Sequence, residues 1–128
     1  MKESRFLLDS SIWLAYFLTK NKEIGRLVES DYTELYTSAI SLFEVKRKLR
    51  KIVKTTKSIS SALELIKDNS QIVIISEEIA EKAADIALET GLHTVDAIIY
   101  CSAMEKEAVL VTGDNDFRDL PKTEIMKL

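Results

Sequence analysis

Arg5-Phe6-Leu7-Leu8-Asp9-Ser10-Ser11 holds an apolar run, a carboxylate and two candidate helix caps within seven residues. The apolar part is too short for a helix and shows no polar alternation. It reads as a strand buried on both faces. Ser10 or Ser11 caps the helix that follows, through about Leu18. Strand, acid, helix is the unit from which the rest of the chain is read.

The same alternation continues downstream. A short helix covers residues 22–29, and residues 34–38 form a strand. Residues 41–53 form a helix with apolar positions at 42, 45, 49, 52 and 53, and residues 56–67 form another with Ile59, Leu63 and Ile66 inward. Ile72 to Ile75 is a fully apolar strand. Ser76 caps a helix that ends at Gly91, a residue suited to the left-handed position after a helix. Residues 94–107 are helical, 108–112 form a strand, and 124–127 form a short edge strand. Alternation of this kind predicts an α/β fold of three layers, with a mostly parallel central sheet and helices on both faces. No Gly/Ser-rich or Pro-rich linker divides the chain, so residues 1–128 read as one domain.

Composition narrows the setting. Cys101 is the only cysteine, which excludes a disulfide framework and fits a reducing, cytoplasmic compartment. The longest apolar run, Ile12 to Leu18, is far too short to span a bilayer, so no membrane association is expected. The net charge of −3 hides an asymmetry. Seven basic residues and no acid lie between Lys46 and Lys57, which leaves the remainder at −10. An acidic body with one basic tract suits local contact with phosphates.

Five acids stand where this fold would bring them together. Ligands of a parallel sheet bind beyond the carboxyl ends of its strands. Asp9 ends the first strand, and Asp114 and Asp116 follow the strand ending at Thr112. Glu44 and Asp96 lie in the first turns of helices whose N-termini point to that same rim. Each has an ordinary reading. Asp9 could cap a helix, Ser41-Leu42-Phe43-Glu44 fits a capping box, Asp96 complements a helix dipole, and Gly113-Asp114-Asn115-Asp116 is turn chemistry. Five caps need not share one rim, however. Crowded carboxylates raise one another's pKa and call for a cation such as Mg²⁺ or Mn²⁺.

Leu8-Asp9-Ser10-Ser11, Ser41-Leu42-Phe43-Glu44-Val45, Val95-Asp96-Ala97 and Val111-Thr112-Gly113-Asp114-Asn115-Asp116-Phe117 resemble the four acidic motifs of PIN domains. Within that family the chain is most similar to VapC-type toxins of type II toxin–antitoxin pairs. The resemblance implies a five-stranded parallel sheet and a Mg²⁺- or Mn²⁺-dependent endoribonuclease. It implies that Asp9, Glu44, Asp96 and Asp114 form the acidic site, with Asp116 as an addition. Ser10 or Ser11, Thr112 and Asn115 would then orient the carboxylates. Asp9 and Asp96 are expected to hold the main ion, with Asp114 and Glu44 acting through water or positioning the nucleophile. One or two metals fit equally. A protein antitoxin and a homodimer are the implied partners.

Glu44, Arg47, Lys48 and Lys51 recur at i, i+3, i+4 and i+7, which makes a basic stripe leading from the acids. With Arg50 and Lys54 it is the expected track for an RNA backbone. The ordinary alternative pairs Glu44 with Lys48. His93 reads as a loop or cap residue and Cys101 as core. The Ile12–Leu18 helix is apolar on every side, so it either presents Trp13 and Phe17 to a partner or is fully buried. A phosphotransfer receiver lacks its acid after the middle strand, where Ile74-Ile75-Ser76 stands. A dehalogenase-type phosphatase lacks its second Asp after Asp9. The remaining alternatives are a PIN nuclease of RNA processing and a PIN-like binding module without catalysis.

Overall fold

A computed structural model describes residues 4–53 and 55–128 of the chain. Its elements run β1 (Ser4–Leu8), α1 (Ser10–Leu18), α2 (Lys22–Glu29), β2 (Thr33–Ser38), α3 (Ala39–Ile52), α4 (Thr56–Asn69) and β3 (Gln71–Val73). They continue with α5 (Glu77–Thr90), α6 (Thr94–Glu105), β4 (Val109–Thr112), a 3₁₀ turn at Asn115–Phe117, and β5 (Thr123–Ile125). All strand pairs are parallel, in the order β3-β2-β1-β4-β5.

The unbroken apolar strands follow from two covered faces. Leu7, Tyr36 and Leu110 point into a core shared with Ile79, Ala97, Ile99 and Phe117, under α5 and α6. Their neighbours Leu8, Leu35 and Val111 point the other way, into a core shared with Ile12, Trp13, Val45 and Ile66. Successive strand residues alternate between faces, so both must be apolar. Each fully buried leucine contributes roughly 1.5–3 kcal/mol.

The chain steps from β1 through β2 to β3 with α1–α4 on one face. It then returns over the other face, through α5 and α6, to place β4 on the opposite side of β1. Winding reverses between β1 and β4. At such a reversal the connections leave the two strand ends in opposite directions and open a crevice between them.

Several local readings need correction. Asp9, not Ser10 or Ser11, caps α1: its carboxylate accepts from the amides of Ser11 and Ile12. A carboxylate at a helix N-terminus outcompetes a neutral hydroxyl because charge and dipole both favour it. Helix α3 starts at Ala39, directly after β2, so Ser41 lies inside the helix and is fully buried. No capping box forms there, and Glu44 falls in the second turn rather than the first. Ile52, expected inward, is half exposed. Strand β3 ends at Val73, and Ile74, at 72% exposure, stands outside the sheet with Ile75. Trp13 is fully buried, with its indole N–H donating to Thr37 Oγ1 at 3.0 Å, so it is not a partner surface. Of that helix Leu18 is the exposed member, and Phe17 is half-buried. Cys101 is core, and Gly91 ends α5 at φ 78°, both as expected.

Candidate metal centre

Asp9, Asp114 and Asp116 leave the carboxyl ends of β1 and β4, the two strands that flank the reversal. Asp96 enters from the first turn of α6 and Glu44 from α3. Because α6 feeds β4 and α3 follows β2, both present the required ends to the same rim.

Asp9 is 4% exposed and held from four directions. Its Oδ1 accepts from the Ser11 amide at 3.0 Å, the Ile12 amide at 3.3 Å and the Ser11 hydroxyl. Its Oδ2 accepts from the Thr112 hydroxyl. Burial pushes the Asp9 pKa up, and these hydrogen bonds pull against it. The same two hydroxyls also meet the backbone that follows β4. Gly113 N–H donates to Ser11 Oγ at 2.9 Å, and Asp114 N–H donates to Thr112 Oγ1 at 3.0 Å. Each hydroxyl therefore donates to Asp9 and accepts from the 113–114 backbone, tying the ends of β1 and β4 together.

The open side of the centre consists of Asp96, Asp114 and Asp116. One carboxylate oxygen from each lies within 4.8 Å of the other two. Asp114 is oriented by the Asp116 amide, which donates to Oδ1 at 2.9 Å. Asp96 has its pKa pushed up to about 6, first by burial and then by the charges of Asp114, Glu44, Asp116 and Asp9. That ordering places all five acids within one electrostatic neighbourhood. Glu44 sits at its margin, where its Oε1 accepts from Ser10 Oγ at 3.0 Å.

The donor set consists of carboxylate oxygens alone, which suits a hard divalent cation and not a soft one. The residues fit Mg²⁺ or Mn²⁺. The set of three whose oxygens lie within 4.8 Å of one another contains Asp116 and not Asp9. Ser10, Ser11 and Thr112 each engage a carboxylate. Asn115 does not: its side chain is exposed and makes no hydrogen bond among the described residues, because the backbone amide of Asp116 has taken that role. His93 is exposed and precedes α6, outside the cluster.

Lys46, Arg47, Lys48, Arg50 and Lys51 all lie exposed on α3. Among the described residues none of them forms an ion pair, so Lys48 does not neutralise Glu44. Lys54 lies outside the described residues. Sequence reasoning misses Phe43, which is exposed within this face, with the Arg47 guanidinium 5.3 Å from its ring centroid. Its helical spacing to Arg47 and Arg50 is the signal that could have found it. Away from the acids, a groove of about 470 Å³ is lined by Phe17, Leu18, Leu49, Val53, Ile59 and Leu65. No helix among the described residues is long and apolar enough to cross a membrane.

Comparison with known proteins agrees with this architecture. A toxin–antitoxin complex from Klebsiella pneumoniae superposes with a TM-score of 0.77 at 24% identity, over 92% of this chain and 94% of that one. VapBC2 from Rickettsia felis, bound to a DNA fragment from its promoter, gives 0.80 at 18% identity, over 95% and 98%. Mycobacterium tuberculosis VapC20, a toxin that cleaves the sarcin–ricin loop, gives 0.68 at 20% identity, over 88% and 92%. No curated protein matches by sequence. The family model for the PIN domain matches residues 6–123, from within β1 to the start of β5. Since that span carries all five acids and every strand that positions them, the chain belongs to the PIN domain family.

Proposed function

We propose that this protein is a Mg²⁺- or Mn²⁺-dependent endoribonuclease and the toxin of a type II toxin–antitoxin pair. The observation that carries the reading is the junction of β1 and β4, where carboxylates from distant segments crowd until Asp96 is pushed up to about 6. Asp96, Asp114 and Asp116 would hold the cation, with Asp9 Oδ2 available beside them because it accepts only one hydrogen bond. Bound there, the cation supplies an activated water and offsets charge on the phosphate oxygens.

The chain's own residues do the rest. Glu44, fixed by Ser10, orients the attacking water and receives its proton. Asp9, locked by four donors, keeps the geometry of the centre from relaxing. The basic face of α3 draws the RNA backbone towards acids that would otherwise repel it.

Toxin–antitoxin complexes among the structural neighbours support a protein partner. An apolar segment of an antitoxin would lie in the groove lined by Phe17, Leu18 and Leu49. A homodimer in the cytoplasm completes the reading. The test is cleavage of a panel of structured RNAs with Mg²⁺, Mn²⁺ or EDTA, comparing the native chain with Asp9→Asn. Loss of cleavage in EDTA and in the variant supports the assignment. Cleavage unaltered by both overturns it.

A further inference from the structure

We propose that Phe43 is a stacking platform for one unpaired base of the RNA. The proposal rests on the ribonuclease reading above and adds a contact to a base where the lysines and arginines contact phosphates. Phe43 is 57% exposed. It is not there for packing: in α3 Val45 and Leu49 are buried and Leu42 half-buried, while Phe43, Arg47 and Arg50 fall at i, i+4 and i+7 on the outward side. Phe43 thus stands exposed at the head of a cationic face, with most of its ring free of the folded monomer.

The surroundings select a nucleic acid as its occupant. Lys46, Arg47, Lys48, Arg50 and Lys51 follow the ring along the same helix, all are exposed, and none is ion-paired among the described residues. A surface of that charge attracts a polyanion. The Arg47 guanidinium, 5.3 Å from the ring centroid, restricts the ring by a cation–π contact and keeps a positive charge beside it. An aromatic ring set beside arginines binds a single strand by stacking and charge together. Position adds the last constraint. Phe43 lies one residue before Glu44 on α3, the helix that borders the centre, so a strand tracking the basic face passes both.

The test is binding of a labelled ten-nucleotide oligoadenylate in Mg²⁺, with every protein carrying Asp9→Asn so that the RNA survives. Phe43→Ala and Phe43→Leu are each expected to weaken binding about tenfold, within the range for removing one base–aromatic stack. Phe43→Trp is expected to restore it, with its fluorescence quenched on binding. The salt dependence stays unchanged in all three, because no charge is removed. If Phe43→Ala binds as the parent does, stacking is overturned while the nuclease reading stands. If Phe43→Leu binds as the parent does, the contact is apolar bulk and the stack is equally overturned. If the parent itself does not bind the oligoadenylate, stacking is overturned, and the nuclease reading is decided separately by the cleavage test with EDTA.

Discussion

Asp9 and Asp96 are both carboxylates pushed above their usual range mainly by burial, yet the fold treats them in opposite ways. Asp9 receives four hydrogen bonds, from two amides and two hydroxyls. Asp96 receives none among the described residues and faces four other acids instead. A buried charge is tolerated when donors surround it, and otherwise it awaits a counter-charge or takes up a proton. Asp9 is thus completed by the protein itself. Asp96 is left to be completed by something else.

Substitution separates the two most sharply in catalysis. Asp96→Asn is expected to abolish metal-dependent RNA cleavage while leaving the fold intact, as followed by circular dichroism. Asp9→Asn is expected to abolish cleavage too, but at a cost in stability, since its single amide oxygen can serve the Ser11 and Ile12 amides or the Thr112 hydroxyl, and the NH₂ faces the donor that is left. Equal stability of the two variants would break the distinction drawn above.

The next effect concerns the hydroxyls. Thr112→Val keeps volume but removes the donor to Asp9 Oδ2 and the acceptor of the Asp114 amide. Metal affinity measured by calorimetry is expected to fall roughly 10- to 100-fold, the usual cost of losing a group that orients ligands. Ser10→Ala removes only the donor to Glu44. It is expected to lower the cleavage rate with metal affinity unchanged.

How much of this centre is legible in the sequence depends on how locally each feature is decided. Alternating elements and acids at strand ends are set by patterns of a few residues, and the parallel sheet follows from them. The cap of α1 is not so set. Asp9, Ser10 and Ser11 are all capping residues, and the choice depends on Thr112, 103 positions away, which anchors Asp9 at the start of the helix. Ser41-x-x-Glu44 has the form of a capping box, yet β2 runs into α3 without a loop, so the helix begins before it. Trp13 and Phe17 look alike on an apolar helix. The Thr37 hydroxyl, supplied by β2, and the core around it turn Trp13 inward. Phe43 is within reach of the sequence, because its spacing to Arg47 and Arg50 is helical arithmetic.

A smaller effect tests the basic face against the acids. Arg47→Ala with Lys51→Ala is expected to weaken RNA binding and flatten its salt dependence, by roughly 0.7 in logarithmic slope for each phosphate of a single strand that is no longer neutralised. An unchanged slope would mean that α3 carries its charge for solubility.

The smallest effect is on stability, and its sign runs against the usual expectation for losing a charge in a folded protein. In the metal-free protein Asp96 has a pKa of about 6 against 3.8 for the ordinary group. Between those values the folded state binds more protons than the unfolded one, so stability falls as pH rises through that window. Above pH 6 the whole penalty is present, and Asp96→Asn removes it. Asp96 is half-buried, so screening reduces the effect to about 1 kcal/mol. For a domain of this size that raises Tm by about 4 °C at pH 7.5. Near pH 4 the carboxyl of the folded protein is neutral and the two proteins should melt together. Saturating Mg²⁺ should invert the order at pH 7.5, since the native chain gains about 2.7 kcal/mol at a hundredfold excess over its Kd and the variant gains little. A variant that melts below the native protein without metal would show that Asp96 already has a partner, and the contrast with Asp9 would disappear.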